Sequence, residues 1–159
     1  MKKTISILAL AITLVNCNTK DPTLICLKQL TDVSFAQSVE SLEKHLLSCR
    51  VVNDISLSSF SSLVKRSAKE RDKIKRCLND FEDELPSLSN VSILENCCRS
   101  QSMNNEYCSK IVQMSEKGIS VLTLIEVLHV IEEKDWDENF ELRGSVEFLY
   151  YFMITNDID

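Results

Sequence analysis

Ser34-Phe35-Ala36-Gln37-Ser38-Val39-Glu40-Ser41-Leu42-Glu43-Lys44-His45-Leu46-Leu47-Ser48-Cys49 is the stretch that decides the class of fold. Its apolar positions Phe35, Val39, Leu42, Leu46 and Cys49 step by four, three, four and three, which makes one stripe along one face of an α-helix. Cys49 lies on that stripe and is expected to point inward. Glycine and proline each occur only twice, as Gly118, Gly144, Pro22 and Pro86, too few for the tight turns of a sandwich or barrel. The fold class expected is therefore all-α.

Working outward, Asp21-Pro22 opens a short helix, with aspartate as N-cap and proline at the first helical position, carrying Leu24, Cys26, Leu27 and Leu30. After Cys49 a third helix is expected from about Leu57 to Phe81. Phe60, Leu63, Val64, Ile74, Cys77, Leu78 and Phe81 face in, while Lys65, Arg66, Lys69, Arg71, Lys73, Lys75 and Arg76 face out. Glu82-Asp83-Glu84 and Pro86 end it. A fourth helix, Val91 to about Arg99, carries Cys97 and Cys98. A fifth, from about Asn105, carries Cys108, Ile111, Val112 and Met114 and stops at Gly118, a natural helix C-terminal residue. From residue 119 the chain has no cysteine but holds six of its ten aromatics. One buried helix from Ile119 to Glu133, a polar connector and a last amphipathic helix from Ser145 to Ile154 complete a bundle of about six or seven helices. No internal repeat or low-complexity tract interrupts it, so residues 18–159 read as a single domain, with a cysteine-bearing part (24–118) and a cysteine-free tail (119–159).

The amino-terminal residues read as an export signal: Lys2 and Lys3 precede an apolar run from Ile5 to Val15, too short to span a bilayer. Cleavage after Cys17 would remove residues 1–17 and one of seven cysteines. An even set remains, Cys26, Cys49, Cys77, Cys97, Cys98 and Cys108, which behind an export signal reads as disulfides, each contributing about 2–4 kcal/mol. Cys97 and Cys98 are neighbours and do not easily meet disulfide geometry with one another, so each is expected to reach a different partner; a strained vicinal bridge acting as a redox switch is the alternative. Twelve pairings then remain open. A competing reading makes Cys17 the acylated residue of a bacterial-type lipoprotein, with Asn16 standing where that signal wants a small residue.

Loss of Lys2 and Lys3 with the leader moves the formal charge from −6 to −8. An acidic surface repels phosphate backbones, which excludes nucleic acid as the expected partner, and disfavours anionic membranes for the same reason. The longest later apolar stretch, Ile119 to Ile131, carries Glu126 and His129 and reads as a core helix, so no transmembrane segment is expected after the leader.

No constellation calls for catalysis. His45 and Cys49 stand four apart, a metal-ligand spacing, but no second pair accompanies them and an oxidised Cys49 offers no thiolate. His129, among apolar neighbours, reads as a core or boundary histidine. Asp135 to Leu142 begins like a calcium loop, yet Phe140 takes the place of the required glycine and Val146 that of the bidentate glutamate, so a solvated acidic connector is expected. Lys65-Arg66 and Lys75-Arg76 resemble processing sites but read as a solvated helix face. Asn90-Val91-Ser92 matches the N-glycosylation pattern between two expected helices. The segment Phe148 to Ile154 is apolar all round, which suits core, pocket or interface; Phe148, Tyr150, Tyr151 and Phe152 are its candidate ligand or partner surface.

The leader, the leucine-rich helices and the series Cys26, Cys49, Cys77, Cys97-Cys98, Cys108 resemble the secreted cysteine-rich helical domains of expanded nematode families, whose role is largely undefined. The likeness covers Cys26 to Cys108, implies an extracellular protein without known catalysis, and transfers no functional residue. The expectation is a secreted interaction protein, neither an enzyme nor a cofactor binder, that binds another extracellular protein through its helical surface. The alternatives are a carrier of a small apolar ligand enclosed by the aromatic tail, and a lipoprotein anchored at Cys17.

Overall fold

A computed structural model describes residues 21–79, 89–100 and 105–159, without the side chains of 89–92. The expected leader, its cleavage point at Cys17, Phe81 and the Glu82-Asp83-Glu84-Pro86 stop signal lie outside the described residues. Among the described residues the chain forms nine helices and no strand. Helix α1 (Pro22–Leu30) starts as the sequence implies, with the Asp21 carboxylate accepting from the Thr23 amide at 2.8 Å. Helix α2 (Val33–Ser48) starts one residue early, where Asp32 accepts from the Phe35 amide at 2.9 Å, and it buries Phe35, Val39, Leu42 and Leu46. It ends in a Schellman turn: the Arg50 amide donates to Leu47 and that of Val51 to Leu46, with Arg50 at φ +54°.

The single helix expected from Leu57 to Phe81 is two, α3 (Leu57–Val64) and α4 (Ala68–Leu78). Ser67 and Glu70 cause the break, because the Glu70 carboxylate accepts from both the amide and the hydroxyl of Ser67, at 3.1 and 2.8 Å, and so satisfies a fresh helix start. Helices α5 (Ser89–Ser100) and α6 (Glu106–Lys117) follow, the latter ending at Gly118, whose φ of +100° suits glycine. Helix α7 (Val121–Val130) is shorter than the Ile119 to Glu133 expected, since the hydroxyl of Ser120 accepts from the Thr123 amide and sets its start.

The expected acidic connector is instead helix α8 (Glu133–Glu138), followed directly by α9 (Phe140–Thr155), which begins five residues ahead of the expected Ser145. The reason is Trp136: its side chain is fully buried and its indole N–H donates to the Ile55 carbonyl at 2.8 Å, pulling the acidic segment onto the body.

Helix α9 runs through the middle of the molecule and packs against α1, α2, α4, α5, α7 and α8. That position explains its all-round apolar character. It crosses α2 at Gly144, where an added Cβ would collide with the Val39 methyls and lie 3.2 Å from Phe35 Cζ. Overpacking against a stiff β-branched neighbour outweighs the helix propensity gained, so Gly144→Ala is expected to lose about 1–2 kcal/mol. The loss should shrink in a Val39→Ala background; urea unfolding of the two single variants and the double reads this, and additive losses would refute the close crossing.

All six described cysteines are paired. Cys26–Cys97 ties α1 to α5 across 71 residues, Cys49–Cys77 ties the end of α2 to α4 across 28, and Cys98–Cys108 ties α5 to α6 across 10. Neighbouring Cys97 and Cys98 do reach different partners.

Candidate functional site

Helix α4 concentrates positive charge on an otherwise acidic chain. Residues 65–76 hold seven lysines and arginines against Glu70 and Asp72, while the chain as a whole carries −6. Ile74 and Leu78 turn inward, which places Lys69, Lys73 and Arg76 on the solvent side. Arg71 and Lys75, one turn apart between the two faces, bind the segment that follows α9. Arg71 pairs with Asp159, and Lys75 with Asp157 at 2.6 Å. The expected solvated face is thus corrected at three of its seven cations, because Arg66 also turns in, donating to the Val51 carbonyl at 2.5 Å.

The segment reaches α4 by a tight turn. Asp157 adopts φ +55°, and the Ile158 amide donates to the Met153 carbonyl at 2.9 Å, closing the end of α9 as a Schellman turn does. A cleft of about 90 Å³ remains, bordered by Ala68, Arg71, Lys75, Ile154, Asp157 and Ile158.

A second polar feature lies inside the bundle. Glu147 of α9 is buried, and neither of its carboxylate oxygens has a hydrogen-bond partner. Its nearest cation, Arg143, stands 4.0 Å away and is engaged by Glu43 of α2 at 2.8 Å and by the Trp136 carbonyl at 3.4 Å. Desolvation, with the Glu43 charge adding to it, pushes the Glu147 carboxyl well above its ordinary 4.5, against the smaller opposing pull of Arg143.

Folded chains therefore retain a proton that unfolded chains release above about pH 4.5. The stability this gives is complete below that pH and is lost as pH rises through the folded value. Glu147→Met, similar in size but apolar, is expected to gain about 1–3 kcal/mol at pH 7. The gain should shrink toward pH 4, and urea unfolding at both pH values measures it; a pH-independent difference would rule out titration of Glu147.

Burial likewise raises the Tyr150 hydroxyl, which has no hydrogen-bond partner. Burial and a 2.7 Å bond to Asp21 raise that of Tyr107. Asp21 also accepts from Asn105, so this trio locks the starts of α1 and α6 together.

Phe148, Tyr150 and Tyr151 are buried and Phe152 is half-buried. As an exposed partner surface Phe148, Tyr150 and Tyr151 are corrected to core, because six helices surround α9, while Phe152 keeps a partly exposed ring. The apolar cleft beside it, about 100 Å³ and bordered by Leu94, Ile111, Met114, Ile119, Ser145 and Leu149, touches none of the four. Ligand pockets run to roughly 300–1,000 Å³.

His129 is exposed rather than a core residue, because α7 turns it to solvent while burying Leu124, Val127 and Leu128. His45 Nε2–H donates to the Cys77 carbonyl at 2.7 Å. His45, Cys49 and Cys77 bring ligand atoms within 4.8 Å of one another, but the two sulfurs are bonded to each other, so a metal would need the bridge reduced. The calcium-loop likeness is lost because residues 133–138 are helical. Asn90 lies in the first turn of α5 rather than between helices, and its side chain falls outside the described residues.

The chain is thus an all-α, disulfide-bridged protein. No family model matches it, and neither curated proteins nor solved structures give a match.

Proposed function

We propose that this is a secreted interaction protein without catalytic activity, which binds another extracellular protein through its helical surface. The observation that carries the reading is the segregated positive face of α4 on an acidic body, held in place by the Cys49–Cys77 bridge. Bridging of every described cysteine suits an oxidising compartment. Among the described residues no helix is long and apolar enough to cross a membrane. A leader removed at Cys17 and a glycan on Asn90 belong to the same reading, with lipidation at Cys17 as the alternative route to the cell exterior.

The carrier alternative draws on the aromatic tail, of whose rings Trp136, Phe148, Tyr150 and Tyr151 are buried in the core. Native mass spectrometry of protein purified from its source should find it free of any apolar small molecule. Cross-linking in the surrounding fluid should recover one partner through the exposed lysines of α4. A stoichiometric apolar ligand with no partner would overturn the proposal.

A further inference from the structure

Arg71 and Lys75 are mostly covered, with side chains 18% and 27% exposed, whereas their partners Asp159 and Asp157 remain 79% and 74% exposed. The cations are thus anchored in the body and the carboxylates lie on the solvent side. Residues one helical turn apart sit about 6 Å from each other. An extended peptide places side chains i and i+2 on one side, roughly 6.6 Å apart, so two carboxylates flanking one residue match the cation pair. Ile158 between its two aspartates borders the adjoining cleft, showing that the intervening position accepts an apolar side chain.

We infer that this face of α4 is a receptor site for an acidic segment of a partner protein, two carboxylates flanking an apolar residue, and that Asp157-Ile158-Asp159 occupies it in the free molecule. The inference rests on the interaction-protein reading and specifies its surface and its partner chemistry. Two features make the internal segment replaceable. Its ion pairs are half-exposed, and such pairs are weak. Its turn holds Asp157 in the left-handed region, a strain that release removes. Lys69, Lys73 and Arg76 stand exposed on the opposite side of the same helix, so α4 keeps a positive field that draws in an acidic segment after the internal neutralisation.

The test is fluorescence anisotropy with a labelled peptide carrying two Asp-Ile-Asp repeats, against the full oxidised chain. D157N/D159N removes the internal carboxylates while asparagine still tolerates the left-handed turn. It should bind the peptide about tenfold more tightly than the unaltered chain. Adding R71E/K75E should abolish binding, and K69E/K73E, on the exposed face, should weaken it even if the first pair disturbs folding. Equal affinity with and without the internal aspartates would overturn the inference, as would indifference to all four cations. Tighter binding of a sulfated polysaccharide that ignores D157N/D159N would do the same. If the peptide fails but a partner cross-links to another face, this inference falls and the interaction reading stands. If an apolar ligand replaces any partner, the reading itself falls.

Discussion

Replacing Cys26 and Cys97 together by serine is expected to lower stability by about 4 kcal/mol, the largest loss among the three bridges. The bridge constrains 71 residues, against 28 for Cys49–Cys77 and 10 for Cys98–Cys108. Loop-closure entropy grows with the logarithm of loop length, so the same argument gives roughly 3.5 and 2.7 kcal/mol for the shorter pair. Because Cys49–Cys77 lies inside the longer loop, it shortens the free path and brings the first two values closer together. Denaturant unfolding of the three double-serine variants tests the order. Losing most stability with Cys98–Cys108 would show that the native contacts each bridge holds, rather than the unfolded chain, set its contribution.

Trp136→Ala is the other large change, expected to cost about 3–5 kcal/mol. Its indole is fully buried, its ring centre lies 5.2 Å from that of Phe60, and Phe60 in turn meets Tyr150 edge-on at 5.6 Å. The side chain therefore joins α3, α8 and α9, and its removal leaves both a cavity and an unpaired Ile55 carbonyl. Trp136→Phe keeps most of the packing and loses the hydrogen bond, so it should fall between the alanine variant and the unaltered chain. Far-UV circular dichroism is the readout, since the chain has only one tryptophan. A loss under about 1 kcal/mol for alanine would mean that the segment is solvated after all.

These two sites mark what local pattern reveals and what it conceals. The stripe of α2 and the Asp21-Pro22 start of α1 were legible because caps and helical periodicity act within a few residues. The divergence of Cys97 and Cys98 followed from side-chain direction alone. The break before α4 had a readable signal in Ser67 and Glu70, overridden by the apolar and basic pattern on either side. Helix α8 was hidden by its composition, four carboxylates around one tryptophan that a distant carbonyl holds. For the candidate site, the excess of cations in residues 65–76 was plain in the sequence. Their partners were not: Asp159 and Asp157 stand 88 and 82 positions from Arg71 and Lys75, beyond any local periodicity. Glu147 left only a faint trace, one charge within an apolar run between Val146 and Phe148.

The connectivity of the bridges also bears on how the chain is made. Of the six bridged cysteines a ribosome delivers Cys26 first and Cys49 next, yet these two never join in the finished protein. The earliest thiol has to stay open while two others pass it and close, waiting for a partner synthesised 71 positions later. Premature oxidation would trap a mispaired intermediate, so the yield of correctly bonded molecules should depend on an enzyme that reshuffles sulfur links.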